Sequence, residues 1–203
     1  MENYVLFLMI ATLTVFSPGP GVLLTLSNSI RHGASGATAG IFGIASATFV
    51  VAAISASSLG VLLATSTVAF TILKLIGAAY LVYLGLKLWL SPVVSLAQPE
   101  PSSPHWGRQF LEGFTLQLTN PKAVFFFMAV FPQFVDLSSA FLGQFALLVT
   151  TYSALVVAIH LIYARSAGLA KAWIGTRKGG RVVNRVGGGA FICFGAGLAV
   201  ASK

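Results

Sequence analysis

The sequence predicts an all-α, polytopic membrane protein of six transmembrane helices, arranged as two inverted three-helix repeats, with helices one and four broken at proline. Three observations lead there. Only 8% of the 203 residues are charged and 57% are hydrophobic, whereas a soluble domain carries about 25% charged residues. So few charges cannot cover a water-facing surface, and lipid has to be the solvent for much of the chain. Six apolar stretches follow one another, and a helix needs roughly 20 residues to cross the hydrocarbon core. Proline motifs interrupt the first and fourth of them. Six spans leave no room for a soluble domain. A single transmembrane domain is therefore expected over 1–203, with repeat one at about 1–90, a loop at 91–107 and repeat two at about 108–203.

Segment one covers about 4–30 and is interrupted by Ser17-Pro18-Gly19-Pro20-Gly21. The residues before it, Met1-Glu2-Asn3, lack the basic n-region of a cleavable signal peptide, so the segment is expected to be retained. Segment two, about 37–63, has Gly36, Gly40 and Gly43 at helical spacing. Such a small-residue stripe lets another helix approach closely; it fits packing within the monomer or a homo-oligomer. Segment three, about 68–90, carries Gly77 and Gly85 with Tyr80, Tyr83 and Trp89. Residues 91–107 hold four prolines and read as a loop. Segment four, about 109–135, is interrupted at Asn120-Pro121-Lys122, and segment five covers about 140–163. A basic stretch, 165–185, reads as a cytoplasmic loop near anionic headgroups, with Trp173 suited to the interface. The sixth segment, about 186–201, is short, and Gly187-Gly188-Gly189 weakens its start.

Lys and Arg concentrate on the cytoplasmic side of membrane proteins. With six spans, Arg31, Lys87, Arg108, Arg165, Lys171, Arg177, Lys178, Arg181 and Arg185 fall on one side. The other side receives Lys203 with the acidic Glu2 and Asp136, so both termini are expected outside. The formal charge of +8 is thus explained by orientation and a lipid-bilayer partner, and no nucleic-acid partner is expected. The single cysteine, Cys193, excludes an intrachain disulfide and the exchanging pair that a thiol electron carrier needs. No nucleophile–base pair, acidic dyad or metal-ligand spacing is evident, so no enzyme activity, metal or cofactor is expected.

The breaks hold the chemistry. Pro18 and Pro20 remove two amide donors and clash with the preceding turn, and Asn120 before Pro121 is pushed out of helical geometry. Backbone freed at membrane depth must be satisfied by protein or by water in a cavity. Each break lies at a matching place in the first segment of a three-span half. Three is odd, so the halves are oppositely oriented, and paired discontinuous helices then form a small-molecule site near the midplane.

Ser17-Pro18-Gly19-Pro20 followed by Leu24, Ser27-Asn28-Ser29, Arg31 and Gly33 resembles the opening of the LysE/RhtB family of amino-acid exporters. Three later stretches are similar to the same family: Leu73 through Gly85, Phe110 through Phe114, and Asn120-Pro121-Lys122-Ala123 through Phe131-Pro132-Gln133-Phe134. The resemblance covers nearly the whole chain. It implies proton-driven efflux of amino acids or close derivatives across the bacterial inner (plasma) membrane. Many members of that family carry Asp or Asn directly after the second proline, where this chain has Gly21.

An amino acid is a zwitterion, and the site has to offer both signs of partial charge. The half-helix after Pro20 presents amides and a positive dipole end for a carboxylate. Carbonyls before Pro18, the Ser17 hydroxyl and the Asn120 amide suit an ammonium. The substrate-binding candidates are therefore Ser17, Pro18, Gly19, Pro20, Gly21, Asn28, Asn120, Pro121 and Lys122. Lys122, charged in mid-segment, fits a carboxylate anchor or a proton-coupling group, or a lysine paired with freed carbonyls. Glu112 lies four residues after Arg108, which fits a helical ion pair or proton acceptance. Lys74 fits snorkelling to the outer interface or proton coupling. Asn28 fits an interhelical hydrogen bond or substrate contact, and His160 an interfacial position. Export of a metal ion or another small metabolite is the alternative on the same scaffold.

Overall fold

Wherever the chain is apolar and free of proline it builds long helices, and each proline motif sets a boundary. In the computed structural model, which describes residues 4–65, 67–91, 105–136, 139–167, 169 and 176–200, all described secondary structure is helical. Helix α1 is Tyr4–Phe16 and α2 is Pro20–Gly36, bent by 53° across the first motif. The unbroken α3 (Thr38–Thr65) and α4 (Thr67–Leu90) follow. Helix α5 (Trp106–Leu118) and α6 (Pro121–Phe125) meet at the second motif, where the chain bends by 49°. Helices α7 (Phe141–Arg165) and α8 (Arg177–Val200) complete the fold. Among the described residues three helices are long and apolar enough to cross a membrane, or five if each bent pair counts as one span. Most of the expected loop, residues 92–104, lies outside the described residues, as do Glu2, Lys171, Trp173 and Lys203.

Two expectations need correction. The final helix starts at Arg177, well before residue 186, and its 24 residues are long enough to span. Lys178, Arg181 and Arg185 are therefore helical, not part of a loop. They recur at about one helical turn and all stay exposed, so they form one charged face. Segment four, in turn, does not continue as one α-helix after its break. It widens into a π-turn at Phe126–Val130 and tightens into a 3-10 turn at Phe131–Phe134. Pro132 has no amide to give the Met128 carbonyl, which removes the α-helical bond there.

That irregular stretch turns four aromatic rings inward. Phe7 of α1 packs edge-on against Phe134 at 5.4 Å, and Tyr152 of α7 lies 4.7 Å from Phe126 and 5.0 Å from Phe127. Offset and edge-to-face ring pairs of this kind are favourable beyond their buried area.

Elsewhere the helices touch through glycine. A Cβ on Gly43 of α3 would lie 2.1 Å from the Phe110 carbonyl oxygen of α5, and one on Gly113 would lie 2.1 Å from the Gly40 oxygen. The glycine stripe of segment two is thus used inside the monomer, against α5. Helices α4 and α8 meet in the same way: a Cβ on Gly188 would lie 2.6 Å from the Gly85 oxygen. The glycines that looked like a weakness of the last segment are what let it seat on α4.

Gly113→Val forces a side chain against the Gly40 backbone and is expected to destabilise the protein by about 3 kcal/mol. At Gly107 nothing lies within 4 Å of an added Cβ, so Gly107→Val should cost no more than about 1 kcal/mol. Thermal unfolding in detergent, followed by size exclusion, checks both.

Candidate functional site

Both breaks release backbone groups, and the protein recaptures them with side chains. In an unbroken helix the amide of residue 20 would bond the Phe16 carbonyl, but Pro20 has none. The Tyr163 hydroxyl of α7 donates to the Phe16 oxygen instead, at 2.7 Å. The next carbonyl, Ser17, accepts from Lys122 Nζ at 2.9 Å. Lys122 belongs to the other break, so this one bond joins the two interruptions across the fold. Gly19 beside it is extended, and Pro20 opens α2.

The second break is held by an amide chain. Asn120 is the N-cap of α6, its Oδ1 accepting from the Lys122 backbone amide at 3.1 Å. Its Nδ2 donates to Gln117 Oε1 at 3.1 Å, and Gln117 Nε2 donates to Thr48 Oγ1 of α3 at 3.2 Å. All three residues are buried. Asn120 thus uses one donor and one acceptor of its amide to hold the break.

Seven sequence candidates line one cavity of about 340 Å³: Ser17, Pro18, Gly19 and Pro20 from the first break, with Asn120, Pro121 and Lys122 from the second. Helix α4 supplies a third wall that sequence reasoning missed. Tyr80, Tyr83, Leu84, Lys87 and Leu88 line it, with Ser91 just beyond. Their spacing is that of one helical face, and that face bears two tyrosines and a lysine. This signal was present in the sequence. Tyr80 stacks on Phe125 with ring centroids 4.4 Å apart, and the Lys87 ammonium lies 5.8 Å from the Tyr83 ring centroid.

The remaining candidates lie elsewhere. Gly21 faces away from the cavity wall toward His160: a Cβ there would come within 3.2 Å of His160 Cε1. His160 itself is not interfacial. It is buried, with Nδ1 2.7 Å from Thr25 Oγ1. The imidazole occupies the space that a longer side chain at position 21 would need. Asn28 lines a second pocket, formed with Arg31 and His32 of α2 against the start of α5. Glu112 borders that pocket and pairs with Arg108 at 3.0 Å. Lys74 lines neither cavity.

Gly21→Val should cost about 2 kcal/mol through the clash with His160. In a His160→Ala background the same change should cost less than about 1 kcal/mol, a coupling that a double-mutant cycle of unfolding free energies reads directly.

Residues 12–202 match the family described as LysE type translocator. A homoserine/homoserine lactone efflux protein of Salmonella typhi is 35% identical over 204 residues, covering 98% of this chain and 97% of that protein. A leucine efflux protein of Salmonella choleraesuis is 32% identical over 201 residues, with 97% and 94% covered. The uncharacterized membrane protein YrhP of Bacillus subtilis is 29% identical over 204 residues, with 96% and 97% covered. No solved structure matches the chain. The matched region begins inside α1 and runs past the end of α8, taking in both breaks and the cavity between them. The chain is a multi-pass membrane protein and belongs to the LysE type translocator family.

Proposed function

We propose that this protein is a secondary active exporter of amino acids or close derivatives, driven by the proton gradient, and that it binds its substrate in the cavity between the two breaks. The observation that carries the proposal is the meeting of both proline motifs in one 340 Å³ space, bridged by Lys122 Nζ on the Ser17 carbonyl. That volume suits a single small solute. Relatives named for efflux of homoserine, homoserine lactone and leucine support the substrate class.

The site chemistry follows from what the breaks leave available. The substrate carboxylate meets the Lys122 ammonium beside the positive end of α2. The substrate ammonium donates to the Ser17 hydroxyl, an acceptor on the cavity wall, while Lys87 lies over the Tyr83 ring. Leu84, Leu88 and Phe125 receive the aliphatic side chain. Asn120 and Gln117 act as positioning residues. Lys122 is also the candidate for proton coupling, as the ionisable group in the cavity that bonds across both breaks. Glu112, tied to Arg108, and Lys74, outside the cavity, are weaker candidates for that role.

The same reading takes the chain as six spans in two inverted halves, with both termini outside. Three features support it. The two bends are nearly equal, at 53° and 49°. The middle helix of each half packs on the broken helix of the other, α3 on α5 and α7 on α1 and α2, while α4 pairs with α8. Arg31, Lys87, Arg108 and Arg165 also lie at the helix ends that this topology assigns to the cytoplasm.

Counterflow in proteoliposomes tests the proposal. At least one of homoserine, homoserine lactone, threonine and leucine should exchange, faster under an opposing pH gradient. Lys122→Met should slow exchange by at least about 10-fold, the cost of losing one charge-assisted contact, and remove the pH-gradient response. If none of the four exchanges, the proposal fails.

A further inference from the structure

Buried polar side chains almost always find partners, so a cluster of them without any calls for an explanation. Among the described residues five buried side-chain nitrogen or oxygen atoms lack a hydrogen-bond partner. Four sit together: Asn28 Nδ2, His32 Nδ1, and both Nε2 and Oε1 of Gln109. Asn28 is 7% exposed and Gln109 5%. The fifth, Gln133 Nε2, lies on the 3-10 turn. The residues that carry these four atoms line a pocket of about 260 Å³ between the end of α2 and the start of α5, which shares no lining residue with the break cavity.

The surroundings of these atoms define what they would bind. Arg31 and Arg108 bring two positive charges into the pocket and Glu112 one negative charge, spent on Arg108. One guanidinium, that of Arg31, is left over. No side chain caps the N-terminus of α5, whose dipole adds to the positive field. Asn28 and Gln109 offer amide donors, and the Gln109 oxygen offers an acceptor. One net positive charge, several donors and one buried acceptor match a monocarboxylate with an adjacent amine. A volume of 260 Å³ admits one such molecule and no peptide.

We propose that this pocket is a second binding site for a free α-amino acid, at the cytoplasmic mouth and separate from the break cavity. Arg31 takes the carboxylate, and the Gln109 amide takes the ammonium. The proposal rests on the export reading for its substrate class and for the side it faces. A solute would be captured here from the cytoplasm before it reaches the break cavity.

Equilibrium binding of radiolabelled L-leucine and L-homoserine to the purified protein in lipid nanodiscs tests it. At least one should bind at two per monomer, falling to one in Arg31→Gln and in Gln109→Leu, with Lys122→Met removing the other site. Arg31 is exposed, so its variant removes little packing. Gln109→Leu replaces unpartnered buried polar atoms with apolar ones and should raise Tm by about 2 °C or more while still losing the site. Arg31-dependent L-leucine should not be displaced by 3-methylbutylamine, which lacks the carboxylate. Binding that neither variant lowers, or displacement by the amine, overturns the second site. Counterflow of the wild-type protein reads the export proposal separately: its absence with Arg31-dependent binding intact would end that proposal and leave this one standing.

Discussion

Carbonyls freed inside a membrane cannot turn to lipid, and in this protein two side chains from distant parts of the chain take them. Tyr163 donates to Phe16 and Lys122 to Ser17. These bonds make the first proline motif tolerable at membrane depth. They also determine the arrangement around it, because each donor comes from the second half of the chain. Lys122 can reach Ser17 only if α6 starts beside the end of α1, and Asn120 ensures that start by capping α6. The cavity is the space left between these requirements and the face of α4.

Backbone proximity holds the frame around that space. Glycine contacts bring α3 against α5 and α4 against α8 so closely that a methyl group would not fit at Gly43, Gly113 or Gly188. In lipid there is little hydrophobic gain from pairing helices, and van der Waals packing of this kind carries the association. The two breaks and one face of α4 line the cavity, and the glycine contacts fix the frame around it. Gly21 lies in the same close packing: a Cβ there would come within 3.2 Å of His160 Cε1, and that imidazole is bonded to Thr25.

Much of this was legible in the residues. Composition called for lipid as solvent, the prolines marked both breaks, and the spacing of Arg108 and Glu112 anticipated their pair. The rest depended on partners that sequence distance conceals. Asn120 reads as a substrate contact alone until Gln117 and the Lys122 backbone are seen to bond it into the break. His160 reads as interfacial until α2 is seen packed over it. The basic residues of 177–185 resemble a loop because their charge outweighs a helical spacing that only exposure makes visible. Tyr80 and Tyr83 read as ordinary aromatics, although their alignment with Lys87 was already present.

The central claim is that the space between the breaks holds the substrate. Its most direct test places a thiol there: Ser17→Cys in a Cys193→Ala background, which removes the chain's one native cysteine. Labelling by a water-soluble methanethiosulfonate reagent is then timed in proteoliposomes. The account predicts that labelling proceeds and is slowed at least about fivefold by saturating amounts of an exchanged amino acid, and not by one that fails to exchange. Labelling at the same rate with and without the exchanged amino acid would contradict it.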